Sequence, residues 1–312
     1  MSTPATAAPL YASAQRSVLL GLAVNLALGV TKLVGGMLGN SFALVSDAVN
    51  SIGDSFSSLV VLFGLHVAQR PADSEHPYGH TRAEAVASLS VALLIAFSAV
   101  LVGWQAVARL GTEHGLPSAW TLWIAGANVV LKEALYRFNL RVGRQTNSQA
   151  VVANAWDHRS DALCSLAVVV GIALVRWGGD RFEWADEAAA LVVVVAILGA
   201  AGRLFYTSAS QLMDRQAEPE LVNEIRQVAD QVPGVRGVET LWVRRSGLEF
   251  FADIHIEVDP QISVAEGHRI SHLVKDRLVE HFAALRDVLV HLEPHPHRHE
   301  LGSPPTVAKQ HG

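Results

Sequence analysis

Two apolar stretches of helical length carry carboxylates where a lipid-facing segment would carry none. In SFALVSDAVNSIGDSFSSLVVLFG, residues 41–64, Asp47, Asn50 and Asp54 recur at i, i+3 and i+7, which places them on one face of a helix. In AVVANAWDHRSDALCSLAVVVGIALV, residues 150–175, Asp157 and Asp161 stand at i and i+4, with Asn154 one turn earlier. An ionisable group at bilayer depth costs about 2.5 to 3.5 kcal/mol on an insertion scale, so several of them call for a cation, a partner or water. If the two faces meet, Asn50, Asp54, Asp157 and Asp161 supply oxygen donors around one point, and a bound cation is the direct compensation. The competing reading is polar glue between helices or a water-lined vestibule.

These residues must be held by the elements around them. Apolar stretches run near residues 17–38, 42–65, 84–109, 119–138, 150–177 and 185–212, each near or above the roughly 20 residues that a spanning helix needs. The expected fold is therefore an α-helical membrane protein with six transmembrane helices and short connections. Arg16, Arg70 and Arg82, and Arg137, Arg141 and Arg144, fall on one side of an alternating path, which makes that side cytoplasmic and puts both termini there. The first residues, MSTPATAAPLYASAQR, lack the basic start and short apolar core of a cleaved signal and read as a flexible cytoplasmic lead over 1–16. The six-helix domain follows over 17–213.

Beyond Met213 the pattern changes. Residues 218–232 read as a helix, Val238–Arg244 and Phe250–Val258 as strands separated at Arg245-Ser246-Gly247, 263–283 as a helix, and Asp287–Leu292 as a last strand. The order αββαβ makes residues 214–294 a small α+β domain. Residues 295–312 hold Pro, His and Gly without apolar period and are expected to be disordered.

Composition excludes whole classes. With 50% hydrophobic and 17% charged residues the chain does not read as purely soluble. Residues 217–312 carry 15 acidic and 10 basic side chains while the preceding part is balanced, so no basic patch is present and no nucleic acid partner is expected. Nine of the 14 histidines lie from His255 onward, which keeps metal chemistry open. The single cysteine, Cys164, permits no intrachain disulfide. A membrane-embedded hydrolase using Asp157 and Asp161 with a metal-bound water is the remote alternative, but neither G-x-S-x-G nor H-E-x-x-H occurs, and no enzyme activity is expected.

The second-span pattern SxALxxDAxNSxxD (Ser41–Asp54), the connection HPYGHTRAEA (His76–Ala85), the run DHRSDAL (Asp157–Leu163) and the αββαβ tail together resemble the cation diffusion facilitator family. The resemblance covers about residues 15–295. It implies a homodimeric six-span exporter of divalent transition metals, driven by proton antiport, with a ferredoxin-like cytoplasmic domain and lipid around the spans. An integral protein of the bacterial inner membrane is the expected setting.

Residue by residue, the resemblance carries the transport site onto Asn50, Asp54, Asp157 and Asp161. Asp47 stands as an accessory position. Zinc carriers of the family usually have His in place of Asn50 or Asp157, whereas this chain offers an amide and three carboxylates. All-oxygen sites suit Mg²⁺, Ca²⁺ and Mn²⁺, and within a transition-metal family that points to manganese. The same combination resembles the family's manganese-exporting branch, with Fe²⁺ the nearest competitor and Zn²⁺ and Co²⁺ behind it; no cofactor is implied. Asp73, His76 and His80 match the family's loop site, and Glu239, His255, His268, His291 and Glu293 its cytoplasmic-domain site.

Overall fold

The computed structural model describes residues 8–38, 42–109, 119–178 and 185–295. The chain divides into two units, the first ending at Arg215 and including the turn Ser246–Glu249, the second made of the remaining C-terminal residues.

The first unit is built from α1 (Ala8–Leu38), α2 (Phe42–Ala68), α3 (Ala83–Arg109), α4 (Ala119–Gln145), α5 (Gln149–Gly178) and α6 (Ala185–Leu212). Three stretches among the described residues, Ala8–Thr31, Ala83–Ala108 and Leu191–Leu212, are long and apolar enough to cross a membrane. Only 33%, 39% and 28% of their apolar windows are buried within the protein, so most of this apolar surface faces outward. Leu93, Phe97 and Trp104 of α3 and Val192 and Val195 of α6 are among these exposed side chains, an arrangement that suits lipid and not water. The six apolar spans expected from sequence are thus six long helices, of which three meet the length and composition test. In α4 and α5 the mean hydropathy is lowered by polar and charged residues, several of them turned inward: Asn128, Lys132, Asn139, Asn154, Asp157 and His158 are all buried.

Small residues allow the helices of this unit to approach closely, the usual device where water supplies no driving force between helices. Ala14, Ala87, Ala92, Ala99, Ala150, Ala153 and Ala201 are buried in its core. A methyl group at Gly64 of α2 would stand 2.3 Å from the Cβ of Ala87 of α3, so this contact requires glycine. The start of α5 is held by Glu84 of α3, whose Oε1 accepts from the Ser148 hydroxyl at 2.7 Å and the Ala150 amide at 2.6 Å. A carboxylate there satisfies a free N–H of the first turn and faces the positive end of the helix dipole.

The first helix departs from expectation. It begins at Ala8, so residues 8–16, read as a flexible lead, are helical. Tyr11, Ala14 and Val18 are buried at helical spacing, and the Ser17 hydroxyl donates to the Ala14 carbonyl. The segment is too polar and alanine-rich to announce itself by hydrophobicity; its few inward residues suffice once neighbouring helices are present. Residues 1–7 and the tail 296–312 lie outside the described part.

The second unit follows the expected αββαβ order: α7 (Pro219–Asp230), β1 (Gly237–Ser246), β2 (Glu249–Val258), α8 (Val264–His281) and β3 (Leu285–Pro294). Its sheet has the order β1-β2-β3, with β2 and β3 parallel and joined through α8. Ile254, Ile256 and Val258 alternate inward along β2 and meet Ile225 of α7 and Ile270, Val274 and Leu278 of α8 in one core. Ser263 caps α8 by accepting from the Glu266 amide. The strands are longer than expected, because the hairpin turns on Gly247 and Leu248 alone and Arg245 and Ser246 still belong to β1. Gly247 takes a left-handed φ of 63°, as a tight hairpin demands.

Candidate functional site

Three of the four transport-site residues predicted from sequence can be followed at side-chain level, and they converge. Asp54 comes from α2, Asp157 and Asp161 from α5, and each carboxylate is within electrostatic reach of the other two. The helices α2 and α5 pack against one another, as the shared polar faces required. Ser57, close to one turn after Asp54 on α2, hydrogen-bonds Asp157. Asp157 is buried at 8% exposure, while the side chains of Asp54 and Asp161 keep 13% and 17%. The side chains of Asp47 and Asn50 lie outside the described part, as does that of Cys164.

The structure adds a residue that sequence reasoning missed. Lys132 of α4, 1% exposed, donates to Asp161 Oδ2 at 2.7 Å and to Asp54 Oδ2 at 3.1 Å. A lysine inside the apolar run ANVVLKEALY was the available signal, since intramembrane cations face partners rather than lipid. Among the described residues the cluster thus contains three carboxylates and one ammonium drawn from three helices.

The neighbouring polar residues take other roles. Asn154 accepts from the Ser58 hydroxyl at 2.9 Å, tying α5 to α2 one turn from Asp157. His158 is fully buried with its Nε2 3.5 Å from Asn154 Nδ2, on the side of α5 where Gly21 of α1 and Asn139 of α4 approach it. Its imidazole is within electrostatic reach of Lys132 and Asp161, so it stands beside the cluster.

The loop between α2 and α3 gathers Asp73, His76 and His80, whose donor atoms lie within 4.8 Å of one another. Asp73 Oδ1 accepts from the backbone amides of His76 at 2.6 Å and Glu75 at 3.0 Å. The His76 amide, first among these influences, holds the Asp73 carboxyl below its ordinary range. His80 Nε2 stands 3.5 Å from Asp73 Oδ2, and the two imidazole rings are 4.4 Å apart. Gly79, at φ 82°, makes the turn that folds His80 back.

On the sheet of the second unit, His255 of β2 and His291 of β3 are register partners, with ring centroids 4.7 Å apart. Glu293 Oε1 lies 2.8 Å from His255 Nδ1 and 3.8 Å from His291 Nε2. Glu239 Oε2 is 4.0 Å from His255 Nδ1, at the edge of this group. His268 is not part of it: on α8 its ring meets that of His272 edge-on, 4.5 Å between centroids. Four of the five residues expected here therefore come together. His291 lies well inside β3, since the strand extends to Pro294 and does not stop at Leu292.

Residues 18–213 match the model of the cation efflux transmembrane domain, and residues 217–295 that of the cation efflux protein cytoplasmic domain. The chain is 28% identical to the manganese efflux system protein MneP of Bacillus subtilis, over 90% of this chain and 96% of that one. It is 32% identical to metal tolerance protein C1 of Arabidopsis thaliana, over 88% of this chain and 61% of that one. It is 33% identical to the magnetosome protein MamB of Paramagnetospirillum magneticum, over 84% and 88%.

Proposed function

The chain belongs to the cation efflux family of divalent-metal transporters, and from that premise we propose that it exports Mn²⁺ by proton antiport through a site made by Asn50, Asp54, Asp157 and Asp161. The observation that carries this reading is the convergence of Asp54, Asp157 and Asp161 from α2 and α5 in one cluster of carboxylates. Oxygen donors suit Mn²⁺, while Zn²⁺ gains more from nitrogen and sulfur. The likeness to MneP supports the same ion.

In this reading all six helices cross the bacterial inner membrane, both termini face the cytoplasm, and the second unit is a ferredoxin-like domain through which two copies pair. The arginines around the connections α2–α3 and α4–α5 support the orientation. The site opens to the cytoplasm with its carboxylates deprotonated, takes the ion, and reopens outward, where protons displace it. Metal and proton compete for the same oxygens, which couples the two flows. Moving two positive charges outward against an inside-negative potential costs about 2.3 kcal/mol per charge per 100 mV, and inward proton flow supplies the drive. The groups at Asp73, His76 and His80 and at Glu239, His255, His291 and Glu293 offer mixed nitrogen and oxygen donors. They bind metal outside the transport path, the second of them in the domain that pairs.

The test is uptake into sealed vesicles under an imposed proton gradient, with Mn²⁺, Fe²⁺, Co²⁺ and Zn²⁺ compared. Mn²⁺ flux that exceeds the others and collapses with the gradient supports the reading. Gradient-independent flux, or Zn²⁺ moving fastest, would reject it.

A further inference from the structure

We propose that Lys132 is a tethered competitor for the transported ion, swinging between the carboxylates of Asp54 and Asp161 and a second berth on Asn128. The inference rests on the reading that these carboxylates bind the cargo. Its first support is the contact geometry. The ammonium donates to Asp54 Oδ2 and Asp161 Oδ2, so it engages lone pairs that a divalent cation approaching both carboxylates would also need. An ion that takes those same two oxygens has to displace the ammonium.

The second support is a place for the displaced group. Asn128 lies one turn before Lys132 on α4, is 5% exposed, and donates through Nδ2 to the Ser165 hydroxyl at 3.0 Å. Its Oδ1 is buried and accepts no hydrogen bond. A buried carbonyl oxygen left without a donor is uncommon in a folded protein. Side chains on a helix lean toward its N-terminus, and residues four apart share a face. The flexible four-carbon stem of Lys132 can therefore carry its ammonium from the carboxylates toward Asn128 Oδ1.

The charges fit this exchange. Among the described residues three carboxylates and one ammonium, all ionised, sum to minus two, which one divalent ion neutralises. Lysine departure opens two anionic ligands as the ion arrives, and lysine return helps expel it. The lysine thus weakens binding and speeds release, and it acts by positioning rather than by touching the ion. The apparent affinity is lowered by the fraction of protein whose lysine stands clear of the carboxylates.

The experiment measures Mn²⁺ binding to the purified full-length protein, and KM and kcat for Mn²⁺ flux in vesicles, for wild type, Lys132→Met, Lys132→Gln, Asn128→Leu and the double variant Asn128→Leu/Lys132→Met. Lys132→Met and Lys132→Gln should tighten binding about tenfold and lower KM and kcat together. Removing a charge would tighten binding even without a swing, so Asn128 decides the matter: Asn128→Leu should weaken binding about fivefold where Lys132 is present and change nothing in the Lys132→Met background. Unchanged or weaker binding in inserted Lys132→Met and Lys132→Gln protein overturns the proposal, as does an Asn128→Leu effect that persists without the lysine. If neither neutral lysine variant inserts, Asn128→Leu alone carries the test, and wild-type affinity there overturns it. Asp54→Ala serves as the control: if it leaves Mn²⁺ binding intact, the site reading itself fails, whatever the lysine variants do.

Discussion

Asp54, Asp157 and Asp161 are expected to be individually indispensable, because each removes both a donor and a charge from the same small cluster. Alanine at any of the three should bring Mn²⁺ flux to background while the protein still inserts, as measured by vesicle uptake at matched protein level. Wild-type flux in one variant would remove that residue from the site. Selectivity is argued at the same scale. Replacing Asn50 and Asp157 with His converts an all-oxygen set into two imidazoles and two carboxylates, the donors zinc favours in a tetrahedral site. Zinc flux should rise relative to manganese in the double variant, with smaller rises in each single one. A Zn²⁺ to Mn²⁺ ratio equal to wild type would show that donor type at these positions does not select the ion. Raw affinity already favours Zn²⁺ over Mn²⁺, so discrimination has to come from donor type, geometry and dehydration.

The helices hold these residues through contacts remote from any ion, and α5 depends most on one of them. Glu84 of α3 caps α5 through Ser148 and Ala150, and α5 carries both Asp157 and Asp161. Glu84→Ala leaves those donors unpaired in a buried place, with a cost of about 1 to 3 kcal/mol. Reduced thermal stability and reduced flux should follow together, although Glu84 belongs to none of the metal-binding groups. Glu84→Gln retains an oxygen acceptor and should recover most of both. The α2–α3 contact at Gly64 makes a parallel case: with Ala87 only 2.3 Å from an added Cβ, Gly64→Val must push the two helices apart or fail to pack. Melting temperature and vesicle flux of this variant should both fall. Such close contacts are invisible in a hydropathy profile, which counts glycine as a gap in an apolar run.

In the proposed reading transport belongs to the helical unit and pairing to the C-terminal one, and that division is open to test. Removing residues 217–312 should weaken dimerisation while leaving residual Mn²⁺ flux, since the proposed ligands all lie in α2 and α5. Loss of intramembrane metal binding in a truncated, correctly inserted protein would contradict this. Much of the arrangement was legible beforehand. Apolar runs of fixed length announce long helices, i+4 carboxylates within them announce a polar face, and the αββαβ tail follows from its alternating and 3.6-residue periods. Those are local signals, set by neighbours in the chain. The start of α1 at Ala8 was not legible, because Tyr11 and Ala14 become core residues only when other helices cover them. Nor was the separation of His268 from His255 and His291, since one lies on a helix and the others on strands whose placement no spacing along the chain encodes. The engagement of Lys132 with Asp54 and Asp161 is of the same kind: those residues are 78 and 29 positions from it in sequence. Residue type and period determined which helices would carry charge into the apolar region. Only the packing of α2, α4 and α5 decided that an ammonium would meet two of the carboxylates there, because opposite charges in a medium of low dielectric must find one another in space.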